Sequence, residues 1–385
     1  MKKIILTILI FALIGGFGFA QTTIDSAPFA PMTPEVIGQG GSFNAVSQGY
    51  KALFHNPAGF SRGKGSFTLL SVTASPYFVP DEELITELEL VSSGDTSDMD
   101  SLNSLILDNG FGAAANSGIA LVNNGLALAF VGNLDAYGRG DTLMGTTLKM
   151  VRDWAFIGGY SVPLNLGPVS LHVGGDLRYM MRAEIPSISA IGMLSSEEEP
   201  TFNVYSGAGL GFDMGAIAEM GPWSVGLSFR DIGGTTMDYT YYEGATMDQM
   251  GEILNFAPLE GGVPTDDSFV VPMVTSLGVG YDPNGFILPA FLFDPAFHAE
   301  YRHTHYQADD AQEYSFWTGV HMGMEVKVLR FLKFRAGINQ GYSTFGVGAK
   351  LLFLDVNASF FTRETGRYAG VKPNEGLTLE AALRF

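Results

Sequence analysis

The 385-residue chain has no cysteine, which excludes a disulfide scaffold, a thiolate zinc site and a cysteine nucleophile. It is poor in basic residues: 21 Lys and Arg stand against 40 Asp and Glu, a formal net charge of -19. Such an acid excess repels a phosphate backbone, so no nucleic acid is expected as a partner. Charged residues make up only 16% of the chain, Gly numbers 49 and the mean hydropathy is +0.18. That combination suits neither a disordered chain nor an ordinary soluble enzyme. Beyond the first twenty residues the chain also lacks an unbroken apolar run long enough for a spanning helix. The uncharged stretch from Asn109 to Leu134 is broken by Asn116, Asn123 and Asn124, and that from Trp154 to Gly175 by Pro163, Asn165, Pro168 and His172.

What is present begins with an export signal. Lys2 and Lys3 precede an apolar run from Ile4 to Phe19, and Gly18 with Ala20 supplies small residues before Gln21. Residues 1–20 therefore read as a secretory signal peptide, with the mature chain starting at Gln21.

From about Ser66 the sequence alternates with period two, the signature of strands with two unlike faces. In 169–181, Val169, Leu171, Val173, Leu177 and Tyr179 oppose Ser170, His172, Asp176 and Arg178; at the end, Leu377, Leu379, Ala381, Leu383 and Phe385 oppose Thr378, Glu380 and Arg384. Several segments run ten residues or more, the length that a tilted strand needs to cross a bilayer. Candidate strands fall at 66–78, 112–122, 124–137, 147–161, 168–182, 205–218, 222–232, 269–281, 292–305, 314–328, 332–340, 343–353, 354–363 and 376–385. These fourteen predict an all-β fold: a transmembrane antiparallel barrel spanning 66–385, preceded by a separate segment at 21–65. One series of connections is mostly short, including Asn123, 162–167, the corner ending at Gly221, 329–331 and the Phe353–Leu354 junction; 282–291 is the longest of it. The opposite series holds long loops at 80–110, 183–204 and 233–268, which places it outside the cell. Pro80, with Asp81, Glu82 and Glu83 ahead of Leu84, Leu88 and Val91, predicts a helix, and Leu102, Leu105 and Ile106 a second turn or two. Met247, Met250, Ile253 and Leu254 give a weaker helical pattern, interrupted by Gly251.

Residues 21–65 do not alternate. They contain IGQGGSFNAVSQGYKALFHNPAGFSRGKG: glycines Gly38, Gly40 and Gly41, a short helical stretch with Ala and Tyr, then Asn56-Pro57-Ala58-Gly59 just before the first strand. Asn56 can bond local backbone, Pro57 fixes φ and removes a donor, and the small residues allow a tight turn under barrel walls. This arrangement resembles the FadL family of outer-membrane transporters for long-chain fatty acids and other hydrophobic compounds. The resemblance covers nearly the whole chain and implies a fourteen-stranded barrel whose N-terminal segment is a hatch that carries the NPA motif. It further implies ligand held between hatch and wall, passive transport driven by the hydrophobic effect, and lateral release into outer-membrane lipid beside a kinked strand. The C-terminal Phe385 resembles the strand end recognised by the barrel-assembly machinery, and Trp154, Tyr160, Trp223 and Tyr281 suit interfacial girdles.

Inward charges, among them Arg178, Arg230, Arg302, Glu325 and Arg335, are expected to line the lumen and pair there, so any apolar pocket should be local. His303 and His305 share a strand face without a third ligand, and Asp95, Asp98 and Asp100 do not fit a calcium loop. No metal, no cofactor and no catalysis are expected, although Ser170 and His172 share a face. Two other readings are a hydrophilic diffusion porin, against which the Gly-rich leader speaks, and a barrel serving in secretion or surface attachment. Removing Lys2 and Lys3 leaves 40 acids and 19 bases. The windows 80–110, 183–204 and 231–268 hold nine, four and eight acids and no Lys or Arg, so the remainder balances at 19 against 19. The acidity belongs to external loops, which should repel anionic surfaces and concentrate cations.

Overall fold

The computed structural model describes residues 23–63, 65–78, 110–139, 147–189, 201–255, 260–265, 268–283, 293–307, 315–365 and 368–385. The signal peptide, the helical signals at 80–106 and Asp95, Asp98 and Asp100 lie outside the described residues.

A short strand β1 (Thr23–Asp25) precedes helix α1 (Pro34–Ile37) and two 3-10 turns, Gly49–Phe54 and Pro57–Ser61. Then come β2 (Ser66–Pro76), β3 (Phe111–Asn123), β4 (Leu126–Arg139), β5 (Thr147–Leu166), β6 (Val169–Ser189), β7 (Phe202–Met220), β8 (Trp223–Arg230) and β9 (Thr235–Ala245). Helix α2 (Met247–Leu254) follows, then β10 (Val263–Pro264), β11 (Ser268–Val271), β12 (Met273–Tyr281) and β13 (Phe293–His305). The chain ends with β14 (Val320–Val328), β15 (Leu332–Asn339), β16 (Tyr342–Leu351), β17 (Leu354–Glu364) and β18 (Pro373–Arg384).

Neighbouring strands pair antiparallel all the way round, and β18 pairs with β2 to close the sheet. Both β8 and β9 pair with β7, and both β11 and β12 continue one line beside them, so the closed barrel has fourteen staves. The predicted strands are all present, with corrections to their bounds: 314–319, expected as the start of a strand, holds a 3-10 turn at Phe316–Gly319. Residues 235–245, expected within a loop, extend the seventh stave, because 231–234 are a local excursion and the chain then rejoins the edge of β7. Asp231, Gly233 and Gly234 adopt positive φ there (51°, 79° and 84°), and Pro272, which has no N–H to donate, breaks the facing stave at the same level. The loop expected at 183–204 is likewise shorter, since β6 runs on to Ser189 and β7 starts at Phe202. The weak helical pattern after it forms α2, started by a capping box between Thr246 and Gln249. Its Ile253 is buried against Ala183, Ile185, Phe202 and Val204 at the long-loop ends of β6 and β7. Two turns need no proline or long loop. Asn124–Gly125 supplies φ of 50° and 89°, as a tight hairpin requires, and Leu352 takes the left-handed position (φ 56°) in the reversal before Leu354.

The wall is apolar outside and polar inside. Along β6, Leu177 is 53% exposed while Arg178 is 0% exposed, and Leu128, Phe156, Leu210 and Val225 extend the outward apolar surface. A soluble barrel hides its apolar face; a wall that displays it is built for hydrocarbon.

Candidate functional site

Residues 26–62 lie inside the barrel, and glycines at inward positions let them do so. A Cβ on Gly226 would stand 2.7 Å from the Ala45 Cα, one on Gly323 2.1 Å from the Gln39 carbonyl and one on Gly337 2.3 Å from the Gly40 amide. The N-terminal segment therefore rests on wall backbone, closer than any side chain would permit. This accounts for much of the high Gly content, and the sequence reading missed it. The available signal was glycine at inward positions of otherwise alternating strands, such as Gly174 between His172 and Asp176.

The two sides of the lumen differ in chemistry. On the side of β3 to β6 one group of inward residues is apolar: Ala120, Val122, Val131, Ala155, Ile157 and Met180 pack against Tyr50, Leu53, Phe54 and Phe60 of the 3-10 turns, whereas Asp153, Asp176, Arg178 and Arg182 elsewhere on β5 and β6 are charged. Aromatic rings extend this region towards the break in the seventh stave, where Tyr239 and Phe269 lie 4.7 Å apart and Tyr205 and Phe269 5.1 Å. Phe29 and Phe54 meet edge to face at 6.2 Å.

On the side of β13 to β18 the contacts are ionic. Glu35 of α1 is paired with Lys51, with Lys333 at 3.6 Å and with Arg335 at 3.7 Å. Burial works against its charge, yet Lys333, Lys51 and Arg335 together hold its carboxyl well below the usual carboxylate range. Burial lowers the pKa of Lys51, opposed by Glu35. Glu300 accepts from the backbone amides of Phe43 (2.8 Å) and Asn44 (3.0 Å). Between the two sides, Asn56 joins segment to wall. Its Oδ1 accepts from the Ala58 amide at 3.0 Å, capping the turn that Pro57 and Gly59 complete, while its Nδ2 donates to Asn44 Oδ1 at 2.6 Å and towards the Leu227 carbonyl at 3.3 Å. Asn44 passes the link on to the Ser276 carbonyl at 2.7 Å. The local cap was legible in the sequence; Asn44, Glu35 and Lys51 were not singled out there.

The five predicted lumen residues all meet a counter-charge or the segment itself. Arg178 binds Asp213 (3.1 Å) and Asp231 (2.5 Å) beneath the ring of Phe29. Arg230 donates to the Phe29 carbonyl at 2.7 Å. Arg302 pairs with Glu300 at 2.8 Å and donates to the Gly41 carbonyl at 2.9 Å. Arg335 and Glu325 pair at 2.8 Å. Gly40 donates to Thr344 Oγ1 at 3.0 Å, Gly40 and Gly41 take φ of 68° and 79°, and Gly38 remains right-handed at -61°. Phe385 exchanges backbone hydrogen bonds with Phe67 (2.9 and 3.0 Å) and stacks on Phe353 at 5.6 Å on the outer face. Four acids counted with the loops belong to the wall: Asp238 and Glu243 lie on β9, Glu184 pairs with Lys149 at 2.6 Å and Asp231 with Arg178.

Ser170 and His172 do not act together, since Ser170 bonds Asn165 at 3.2 Å. Instead His172 links Ser61 (2.8 Å) to Glu219 (3.1 Å), but Glu219 is also held by Arg62, and neither Ser61 nor His172 lines any cavity described below. The chain Ser61–His172–Glu219 is thus a tether of the segment. His303 and His305 face each other with rings 4.5 Å apart, and His305 bonds Thr275. Among the described residues no group of three His, Cys, Asp or Glu side chains is arranged to hold a metal ion.

Above the segment a cavity of about 500 Å³ opens between Pro28, Asp153, Arg302, His321 and Arg363. Below it a cavity of about 230 Å³ lies between Gln39, Arg62, Glu219, His298 and Glu325.

No protein-family model and no curated protein matches the chain. Among solved structures it is similar to the CymD monoaromatic hydrocarbon channel, with 15% identity and a TM-score of 0.52 over 93% of this chain and 98% of that one. It is also similar to the deltaS2S3 mutant of TodX, another monoaromatic hydrocarbon channel, with 12% identity and a TM-score of 0.50 over 92% and 98%. A FadL homologue from Pseudomonas aeruginosa aligns over 95% of this chain and 99% of its own at 12% identity and a TM-score of 0.46. At these identities the likeness is one of architecture, and the chain shares the barrel fold of the CymD and TodX channels.

Proposed function

We propose that the chain is a bacterial outer-membrane channel for passive uptake of hydrophobic compounds, with residues 21–65 acting as a hatch and the ligand held between hatch and barrel wall. The observation that carries this reading is the apolar side of the lumen. Inside a barrel largely lined with polar side chains and ion pairs, the side chains of Leu53, Phe54 and Phe60 pack on apolar side chains of the β3 to β6 wall, so an apolar molecule can replace side chains there without stranding a polar side-chain group. The FadL resemblance suggests long-chain fatty acids, while CymD and TodX are channels for monoaromatic hydrocarbons; both classes fit such a surface. Release into outer-membrane lipid would need few backbone bonds broken at the 231–234 excursion, where β7 residues between Ala208 and Met214 have no ladder partner on the β8–β9 side. The signal peptide and the Phe385 terminus fit export and assembly by the barrel machinery. The lumen-filling segment disfavours a diffusion porin. Uptake of labelled oleate and labelled toluene into proteoliposomes tests the reading. At least one should enter several-fold faster than into empty liposomes; no uptake of either overturns it.

A further inference from the structure

Two polar cavities border the charged side of the lumen with very little between them, the upper one reaching across to Asp153 and Arg182 of β5 and β6 and the lower one to Glu219 of β7. On β13, Arg302 lines the upper cavity and His298 the lower one, with Glu300 between; on β14, His321 and Glu325 hold the corresponding places, with Gly323 between. Inward residues on one strand are about 7 Å apart, so the partition is one row thick. From the segment's side it is closed only by Gln39, Gly40 and Gly41, whose backbone lies on Gly323 and Gly337. No apolar cluster secures this row. It is held by polar contacts alone: Glu300 to the Phe43 and Asn44 amides, Arg302 to the Gly41 carbonyl, His321 Nδ1 to the Gly40 carbonyl at 3.0 Å and Thr344 to the Gly40 amide. Below it, His298 is only 7% exposed and neither ring nitrogen has a protein partner. A buried imidazole needs hydrogen bonds, which marks the lower cavity as a place for polar occupants.

We infer that the charged side of the lumen is a second, polar route, for water and small cations, and that the Gln39–Gly41 row is its septum. The route is separate from the apolar path of the proposed function and goes beyond that reading. Cations are the favoured ions because the acidic external loops raise their local concentration, and because Arg182 and Arg302 in the upper cavity are neutralised by Asp153 and Glu300.

Planar-bilayer conductance of the full chain tests this, with folding checked by heat-modifiable electrophoretic mobility. Glu300→Ala removes the acceptor of the Phe43 and Asn44 amides beside the septum and the partner of Arg302, which holds the Gly41 carbonyl, and should raise conductance at least threefold. Because that change also leaves Arg302 without its counter-charge, ion preference is read in Thr344→Val, whose reversal potential in a tenfold KCl gradient should lie on the potassium-selective side, and uptake of the hydrophobic probes by Thr344→Val should stay within twofold of wild type. Thr344→Val, a milder loss, should raise conductance less and serves if Glu300→Ala does not fold. Unchanged conductance in a folded variant overturns the inference. So does a parallel rise in conductance and hydrophobic uptake, since that would mean displacement of the whole segment. Absence of hydrophobic uptake in the wild type bears on the proposed function alone.

Discussion

The two sides of the lumen hold the same segment by opposite means. Against β3 to β6 the larger contact is apolar side chain on side chain, Leu53, Phe54 and Phe60 on alanines and aliphatics, which gains from every apolar area removed from water, with polar tethers beside it from Asn116, His172 and Arg182. Against β13 to β18 it is backbone on glycine, pinned by Glu35, Glu300, Arg302 and Arg335. On the proposed function, the apolar side would exchange segment for ligand gradually, because dispersion contacts are numerous and interchangeable. The ionic side cannot, because removing one partner leaves a buried charge uncompensated. One side is therefore suited to admit an apolar guest, and the other to keep the segment in register while it does so.

Deleting residues 21–60 after the signal removes both contacts at once and should raise bilayer conductance by an order of magnitude or more; unchanged conductance would mean that the segment plugs nothing. Gly337→Val attacks only the ionic side. Its added carbon atoms would overlap the Gln39–Gly40 backbone, so conductance should rise several-fold while fluorescence or proteolysis reports the Phe54 region still docked. Leu53→Ala attacks only the apolar side and, as a buried large-to-small change, should cost about 2–5 kcal/mol in denaturant unfolding, with conductance near the wild-type level. Equal conductance changes in these two variants would erase the distinction between the sides. Asn56→Ala, at the seam, loses a cap worth about 1 kcal/mol and the links to Asn44 and Leu227, and should speed protease cleavage of the segment.

The smallest expected effect is on pH. The pKa of Glu35 is depressed in the folded protein, so its contribution is present above its ordinary value of 4.5 and is lost as pH falls through the lowered one. Segment docking, read by limited proteolysis, should weaken below about pH 4 in the wild type, and Glu35→Gln should be weaker already at pH 7 and less sensitive to acid from this group. The facing charges are Lys51, Lys333 and Arg335, with Asp355 beside them. Identical acid profiles for wild type and variant would show that the Glu35 cluster does not hold the segment.

The alternation of apolar and polar residues was enough to locate all fourteen staves, because strand period and membrane thickness are local constraints that each segment must satisfy by itself. It failed where the constraint is not local. Residues 235–245 looked like loop because Asp231, Gly233 and Gly234 signal a turn, whereas pairing with β7 decides that the stave resumes. Glu184 and Asp231 looked like solvated loop acids until Lys149 and Arg178, distant in sequence, were brought beside them.

The same division runs through the site. From sequence alone came the barrel, its inside-out polarity, the Asn56–Gly59 turn and the presence of inward charge, since each follows from residues within a few positions of one another. Which charges pair, which wall glycines receive the segment, and that the lumen has one apolar and one ionic side depended on closure of the sheet. Closure sets β3 to β6 and β13 to β18 against different parts of one threaded segment, and no local pattern records which stave will stand beside which turn.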